Sequence, residues 1–216
     1  CRDKVAKAIR STMFVAIPAA VGIGVLSRPI MLFLYPQRET LLLSANLLII
    51  LSIAVVFYSL STILNAVLQS IGRVNSPVVN AALALIIQTA VLVAGLIFTD
   101  IGTYLMAVSV LLFALLMCVF NGIAVRKHLS YEQEWDKTFM RPLVISIVMG
   151  AVSFGTYHGL FYLININLIA LVIAVTAGIL VYFIIAVKWR VLGEAELKWI
   201  PGGGKLTRLV NRINKG

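Results

Sequence analysis

Six long runs of apolar residues constrain this chain more than any other feature of its sequence. They cover residues about 12–34, 41–68, 78–98, 103–125, 143–163 and 168–187. A helix of about 20 apolar residues crosses the roughly 30 Å hydrocarbon core of a bilayer, whereas a strand of a membrane barrel needs only about 10. The sequence therefore predicts an all-α, polytopic membrane helix bundle of about six transmembrane helices over residues 1–187.

The composition favours a membrane protein over a soluble one. Of the 216 residues, 61% are hydrophobic and 12% are charged, whereas a soluble domain carries about 25% charged residues. The net charge is +10, but the basic residues lie in short breaks between the apolar runs and at the two ends, beside lipid headgroups. This distribution argues against a nucleic-acid partner.

The basic residues also predict an orientation. Cytoplasmic loops are enriched in Lys and Arg, and with strict alternation of six helices all of these residues except Arg28 and Arg38 fall on one side. The sequence therefore predicts a multi-pass protein of the cytoplasmic membrane with both termini in the cytoplasm. Because the chain begins at Cys1 rather than at a Met, we expect it to be a piece of a longer chain.

The last segment, residues 188–216, differs from the rest. Four apolar residues fall at helical spacing with basic residues between them: Leu206, Leu209, Val210 and Ile213. A short basic amphipathic helix of this kind suits the inner surface of a membrane. We expect a cytoplasmic basic amphipathic tail, and a loose charged tail is the alternative.

A polar stripe follows one face of the second predicted helix. Its five members are Ser52, Ser59, Thr62, Asn65 and Gln69. Polar groups in hydrocarbon need partners, so these side chains face protein or water. They predict the wall of a hydrated cavity, which Asn80 and Gln88 of the third helix extend; hydrogen bonding between helices is the alternative.

Two further patterns concern the mechanics of the helices. Pro18 interrupts the first helix and is a candidate hinge, with a static kink as the alternative. Small residues at four-residue steps predict close packing of the fifth helix against the sixth. These two ridges are Ala151, Gly155 and Gly159 in the fifth helix and Ala170, Ala174 and Gly178 in the sixth.

No residue pattern points to catalysis. No Asp or Glu lies in the middle of an apolar run, and no nucleophile–base pair or metal-binding cluster is visible. Residues 202–207 read GGGKLT, but Leu206 stands where a phosphate-binding loop needs Ser or Thr. We therefore expect no enzyme activity, no cofactor and no metal.

Several segments resemble a known family of transporters. Residues 60–80 read LSTILNAVLQSIGRVNSPVVN, residues 17–22 read IPAAVG, and residues 28–30 read RPI. These segments resemble the polysaccharide-biosynthesis flippases of the MATE/MOP superfamily. The ending, ELKWIPGGGKL at residues 196–206, is typical of the stage V sporulation protein B-like branch, which is related to lipid II flippases.

The resemblance implies a fold and a function. In this superfamily two pseudo-symmetric lobes surround a transport site, and six helices that end inside match the last six, so the N-terminal lobe would be a partner from the same chain. The implied activity is the flipping of an undecaprenyl-pyrophosphate-linked saccharide, a lipid II-like or polysaccharide precursor for the bacterial cell wall, by alternating access. The resemblance also implies a lipid-tail groove beside the last two helices.

Two other functions remain open from the sequence. One is a cation-coupled multidrug exporter of the same superfamily, and the other is a membrane scaffold that does not transport. The lack of mid-membrane acids weakens the first, and the polar stripe weakens the second.

Overall fold

Six helices long and apolar enough to cross a membrane are present in the computed structural model, which describes residues 2–35, 39–99, 102–129 and 136–189. Within these residues there is no strand. The helices are α1 Arg2–Val25, α2 Ser27–Leu34, α3 Leu41–Ser70, α4 Asn75–Phe98, α5 Thr103–Leu129, α6 Arg141–Ile164 and α7 Asn167–Lys188, and all but α2 are candidate spans. The predicted all-α membrane bundle is confirmed.

The first apolar run forms two helices instead of one. The helix breaks at Leu26, whose φ is −97° and ψ is 18°. Pro29 explains the break, because proline has no N–H to bond the carbonyl of Val25 and its ring crowds that carbonyl. On both sides of the break the α-helical hydrogen bonds are present: the N–H of Leu26 donates to the carbonyl of Gly22, and that of Ile30 donates to the carbonyl of Leu26. Through Pro18, by contrast, α1 is continuous.

Two segments border residues that the structure does not describe. A five-residue π-helical turn, Asp136–Met140, precedes α6, and Asp136 pairs with Arg141 across 3.7 Å. The expected amphipathic tail lies, beyond Trp189, outside the described residues.

The spanning helices lie in a row, in the order α4, α5, α3, α1, α6 and α7. Apolar side chains fill the seam between α1, α3 and α5, where Ile9, Met13, Leu68 and Val125 are almost wholly buried. On the other side of α1, Phe14 packs with residues of α6 and α7. α1 is therefore the central element that joins the two halves of the row.

Hydrogen bonds connect α7 to α1 and α2 at two levels. Near one end, the Tyr182 hydroxyl donates to the carbonyl of Phe14 at 2.7 Å. Near the other, the side-chain amide of Asn167 donates to the carbonyl of Pro29 at 3.0 Å and accepts from the Tyr157 hydroxyl of α6 at 2.8 Å. The position of α7 thus depends on polar contacts as well as on packing.

Of the two predicted ridges of small residues, only one lies in a helix contact. Ala170 and Ala174 of α7 are completely buried, and Gly178 lies directly against Ser153 of α6. The prediction for α6 is wrong. Its ridge, which consists of Ala151, Gly155 and Gly159, is exposed on the surface of the described chain.

A different face of α6 packs because it buries more apolar surface. That face carries Ile145, Met149 and Tyr157, each at most 5% exposed, and burial of such side chains stabilises far more than burial of Ala and Gly. Gly150 lies on this face close to α1. A Cβ atom added at Gly150 would be 3.0 Å from the side chain of Val21 and 3.2 Å from that of Val25.

We expect Gly178→Leu to destabilise the bundle, because any side chain at this position overlaps Ser153 and approaches Met149. Overpacking of this kind costs about 1–3 kcal/mol. Thermal unfolding in detergent can be followed by reaction of the half-buried Cys118 with a thiol-reactive dye. The matched control is Gly155→Leu, since nothing lies within 4 Å of an added Cβ there. Equal midpoints for both variants would contradict this view of the α6–α7 contact.

Candidate functional site

An apolar groove lies between α1, α6 and α7. Its volume is about 410 Å³, and nearly all of its exposed lining is carbon. Small residues make room for it, namely Ala19 and Gly22 on α1 and Gly178 on α7. Phe14 and Tyr182, which are joined by a hydrogen bond, line one end of the groove. A groove of this shape and chemistry can hold the hydrocarbon chain of a lipid.

A buried cluster of amides joins α3, α4 and α5. Asn121 of α5 is completely buried, and its amide nitrogen donates to Ser61 at 3.1 Å and to Asn65 at 2.7 Å. Its amide oxygen accepts from Asn80 at 2.9 Å. We call Asn121, Ser61, Asn65 and Asn80 the Asn121 cluster. It brings together Asn65 and Asn80, two members of the predicted cavity wall, by direct bonding between helices.

A second groove opens between α1 and α3. It has a volume of about 430 Å³, and four hydroxyl side chains line it: Ser59 and Thr62 of the polar stripe, Tyr58 of α3 and Thr12 of α1. Thr62 and Thr12 each donate to a carbonyl one turn earlier in their own helices, those of Tyr58 and Ala8. We call this the hydroxyl groove. It is the part of the predicted wall where residues of the polar stripe line a cavity.

The other predicted site residues lie apart from these groups. Ser52 is buried against α1 and donates to the carbonyl of Ile49 at 2.7 Å. Gln69 is exposed near the end of α3, and Gln88 is half-buried on α4. Pro18 lines the apolar groove. The structure therefore separates the stripe into the hydroxyl groove, the Asn121 cluster and single residues.

Sequence reasoning missed Asn121, Asn167 and Tyr182. Asn121 had a recognisable signal, since a lone amide in an apolar run needs partners just as the polar stripe does. Asn167 lies in the short break between the fifth and sixth apolar runs, where a turn residue is expected, although it begins α7 and bonds two other helices. Tyr182 has no distinguishing pattern in the sequence, because its partner is a backbone carbonyl.

The described residues contain no group of three His, Cys, Asp or Glu side chains that could hold a metal ion. Apart from the apolar groove, the described cavities are lined by aliphatic and aromatic side chains together with hydroxyls, His158 and one charged side chain, Arg28.

Comparison with known proteins shows similarity to one protein family. The family model described as lipid II flippase MurJ matches residues 1–191. Among curated proteins, the lipid II flippase MurJ of Bacillus subtilis (strain 168) is 27% identical over 150 residues. The alignment covers 68% of this chain but 27% of that protein, so the chain spans little more than a quarter of its relative.

We expect Asn121→Leu to destabilise the bundle more than a matched change elsewhere, because three polar side chains lose their partner in hydrocarbon. Hydrogen bonds between membrane helices average about 0.6 kcal/mol and reach about 1.7, so a loss of about 1–3 kcal/mol is expected. The measurement is the midpoint of unfolding in detergent.

The matched control for this substitution is Gln88→Leu. Gln88 is half-buried and makes no side-chain hydrogen bond within the described part of the chain. If both variants unfold at the same denaturant concentration, the Asn121 cluster does not hold the helices together.

Proposed function

Because the chain belongs to the lipid II flippase MurJ family, we propose that it is part of a transporter that moves a lipid-linked saccharide across the cytoplasmic membrane. The membership agrees with the resemblance predicted from residues 17–30 and 60–80; the sporulation branch stays a prediction. The observation that carries the proposal is the family match over residues 1–191, and the apolar groove supports it.

The proposed role of the apolar groove is to hold the hydrocarbon chain of the substrate. Its apolar lining suits an isoprenoid lipid and offers little to an organic cation. A multidrug exporter needs polar or acidic contacts for its cargo, and among the residues that the structure describes no Asp or Glu lines the groove. Transport of a lipid-linked saccharide is therefore the better proposal, and we propose no catalytic role.

The polar stripe would supply part of the path for the saccharide headgroup. Ser59, Thr62 and Thr12 offer hydroxyls in the hydroxyl groove, whose volume of about 430 Å³ exceeds the roughly 30 Å³ per water molecule several times over. Asn65 and Asn80 would position this wall through the Asn121 cluster. Pro18, beside the apolar groove, remains a candidate hinge.

A second helix bundle is part of the proposal. Transporters built from repeats move one bundle against another around a site at their interface. The described helices form one row around α1, and the chain spans 27% of its relative. We propose that an N-terminal lobe supplies the facing wall and the groups that hold the pyrophosphate.

We expect the chain alone in liposomes to bind a lipid-linked saccharide without translocating it. The probe is an undecaprenyl-pyrophosphate-linked saccharide with a photoreactive group in its isoprenoid chain. Crosslinking should fall about tenfold, equal to about 1.4 kcal/mol, in Ala19→Trp, because the indole fills the apolar groove.

The matched control is Ala82→Trp on the exposed surface of α4, which should crosslink like the wild type. Equal crosslinking of both variants would remove the groove from the proposal. Translocation by the chain alone would show that one bundle, or a dimer of it, is sufficient, and failure of all crosslinking would count against the substrate class.

A second expectation concerns hydration and orientation. In a background without Cys1 and Cys118, a cysteine at Thr62 in the hydroxyl groove should react with a charged thiol reagent, whereas one at Ile53 should not. Ile53 is a matched control because it is equally on α3 and exposed, but on an apolar face.

Two cysteines calibrate the sides of the membrane in this experiment. A cysteine in place of Asn165, between α6 and α7, should react from outside intact cells. A cysteine in place of Arg73, between α3 and α4, should react only after permeabilisation. The proposed cytoplasmic termini require this result, and the reverse pattern would invert the topology. If the cysteines at positions 62 and 53 are equally protected from the charged reagent, the polar stripe would serve packing between helices and would not line a hydrated cavity.

A further inference from the structure

A third pocket lies where α2 and the start of α3 meet α6. Its volume is about 430 Å³, and it shares no lining residue with the apolar groove. Its polar side chains are those of Ser27, Arg28, Tyr157 and His158, and the Tyr157 hydroxyl is already bonded to Asn167. His158 lies six positions before the end of α6, about 9 Å along the axis. The pocket, which we call the α2 pocket, is therefore near the end of the bundle, at the depth of lipid headgroups.

Ser27 offers the α2 pocket a hydroxyl that is free to bond a ligand. The residue is 3% exposed, and within the described part of the chain its hydroxyl has no hydrogen-bond partner. The buried residues Ser52 and Ser146, by contrast, bond carbonyls of their own helices. Ser27 directly follows the break at Leu26 and lines the pocket. An oxygen atom of a ligand would satisfy this hydroxyl.

The charge of the pocket selects an anion. Arg28 forms no ion pair within the described residues, and no Asp or Glu lines the pocket. A guanidinium group matches the geometry of phosphate and binds two of its oxygens at once. The Nδ1 atom of His158 is 3.0 Å from the carbonyl of Phe154. Because this contact uses Nδ1, the other ring nitrogen, Nε2, is left as a further polar atom that could contact the anion.

The remaining lining is apolar and aromatic. The rings of Phe154 and Phe161 stand beside the polar atoms, together with Leu32 and Leu41. A free phosphate ion would leave this surface uncovered, whereas a lipid covers it with the first methylene groups of its chains. The ligand chemistry that satisfies both parts of the pocket is a phosphate group attached to a lipid.

We propose that the α2 pocket binds the phosphate group of a membrane lipid, with Arg28 and Ser27 on its oxygens and the aromatic rings of α6 against its chain. The lipid is either a phospholipid of the surrounding leaflet or an isoprenoid phosphate. The proposal does not depend on transport by this chain, since an anionic phospholipid satisfies the same contacts.

The test is lipid retention by the purified chain, measured by native mass spectrometry from detergent. The probes are phosphatidylglycerol, undecaprenyl phosphate, phosphate-free diacylglycerol, and inorganic phosphate as a competitor. We expect at least one lipid phosphate to be retained about tenfold over diacylglycerol, which corresponds to 1.4 kcal/mol. Arg28→Gln should remove this preference, and Ser27→Ala should reduce it.

The matched control is Arg73→Gln, an exposed arginine between α3 and α4, which should leave retention unchanged. Arg28→Lys should restore part of the preference, because it keeps the charge but not the bidentate geometry. Unfolding midpoints of all variants, followed through Cys118, separate loss of binding from loss of fold.

The probes separate the two sources of phosphate. Retention of phosphatidylglycerol assigns the pocket to a phospholipid, and retention of undecaprenyl phosphate alone assigns it to an isoprenoid lipid. The proposal is overturned if diacylglycerol binds equally well, if Arg28→Gln behaves as the wild type, or if inorganic phosphate displaces the lipid at equal concentration.

Discussion

Hydrocarbon offers no hydrogen bonds, so every polar group placed in it needs a partner from the protein. Most polar side chains in the described helices follow this constraint. Hydroxyls such as those of Thr12, Thr62 and Ser146 donate to carbonyls of the preceding turn. Amides have too many polar atoms for this solution, and Asn121 and Asn167 therefore bond neighbouring helices. The arrangement of the row follows from these cross-links as well as from apolar packing.

The same constraint explains how much could be predicted. The length of each apolar run predicts a spanning helix without knowledge of its neighbours, because the backbone N–H and C=O groups of a helix bond one another within the helix. Pro29 also makes the break at Leu26 predictable, because proline removes a hydrogen-bond donor, whereas the predicted hinge is at Pro18. Pro18 shows that a proline in an apolar run need not end a helix, as α1 continues through it.

The faces on which helices meet were harder to predict. Gly155 and Gly159 form as regular a ridge as Ala170 and Ala174, yet the α6 pair is exposed and the α7 pair is buried. Spacing shows which residues share a face, but the choice among faces depends on the surface that each buries against a partner. The polar stripe has the same limit. Its members share a face of α3, but they separate according to whether α1, α5 or open space lies opposite.

The two levels at which α7 is bonded to α1 and α2 bear on the apolar groove. Asn167 and Tyr182 are separated by 15 positions of α7, or about 22 Å along a helix. Their partners, Pro29 and Phe14, are separated by the same number of positions. The α7 residues that line the groove begin at Val175 and end at Phe183, so the groove occupies the part of this span nearer to Tyr182. The hydrogen bonds at these two levels therefore hold α7 against α1 and α2, so the width of the groove depends on polar contacts as well as on its apolar lining.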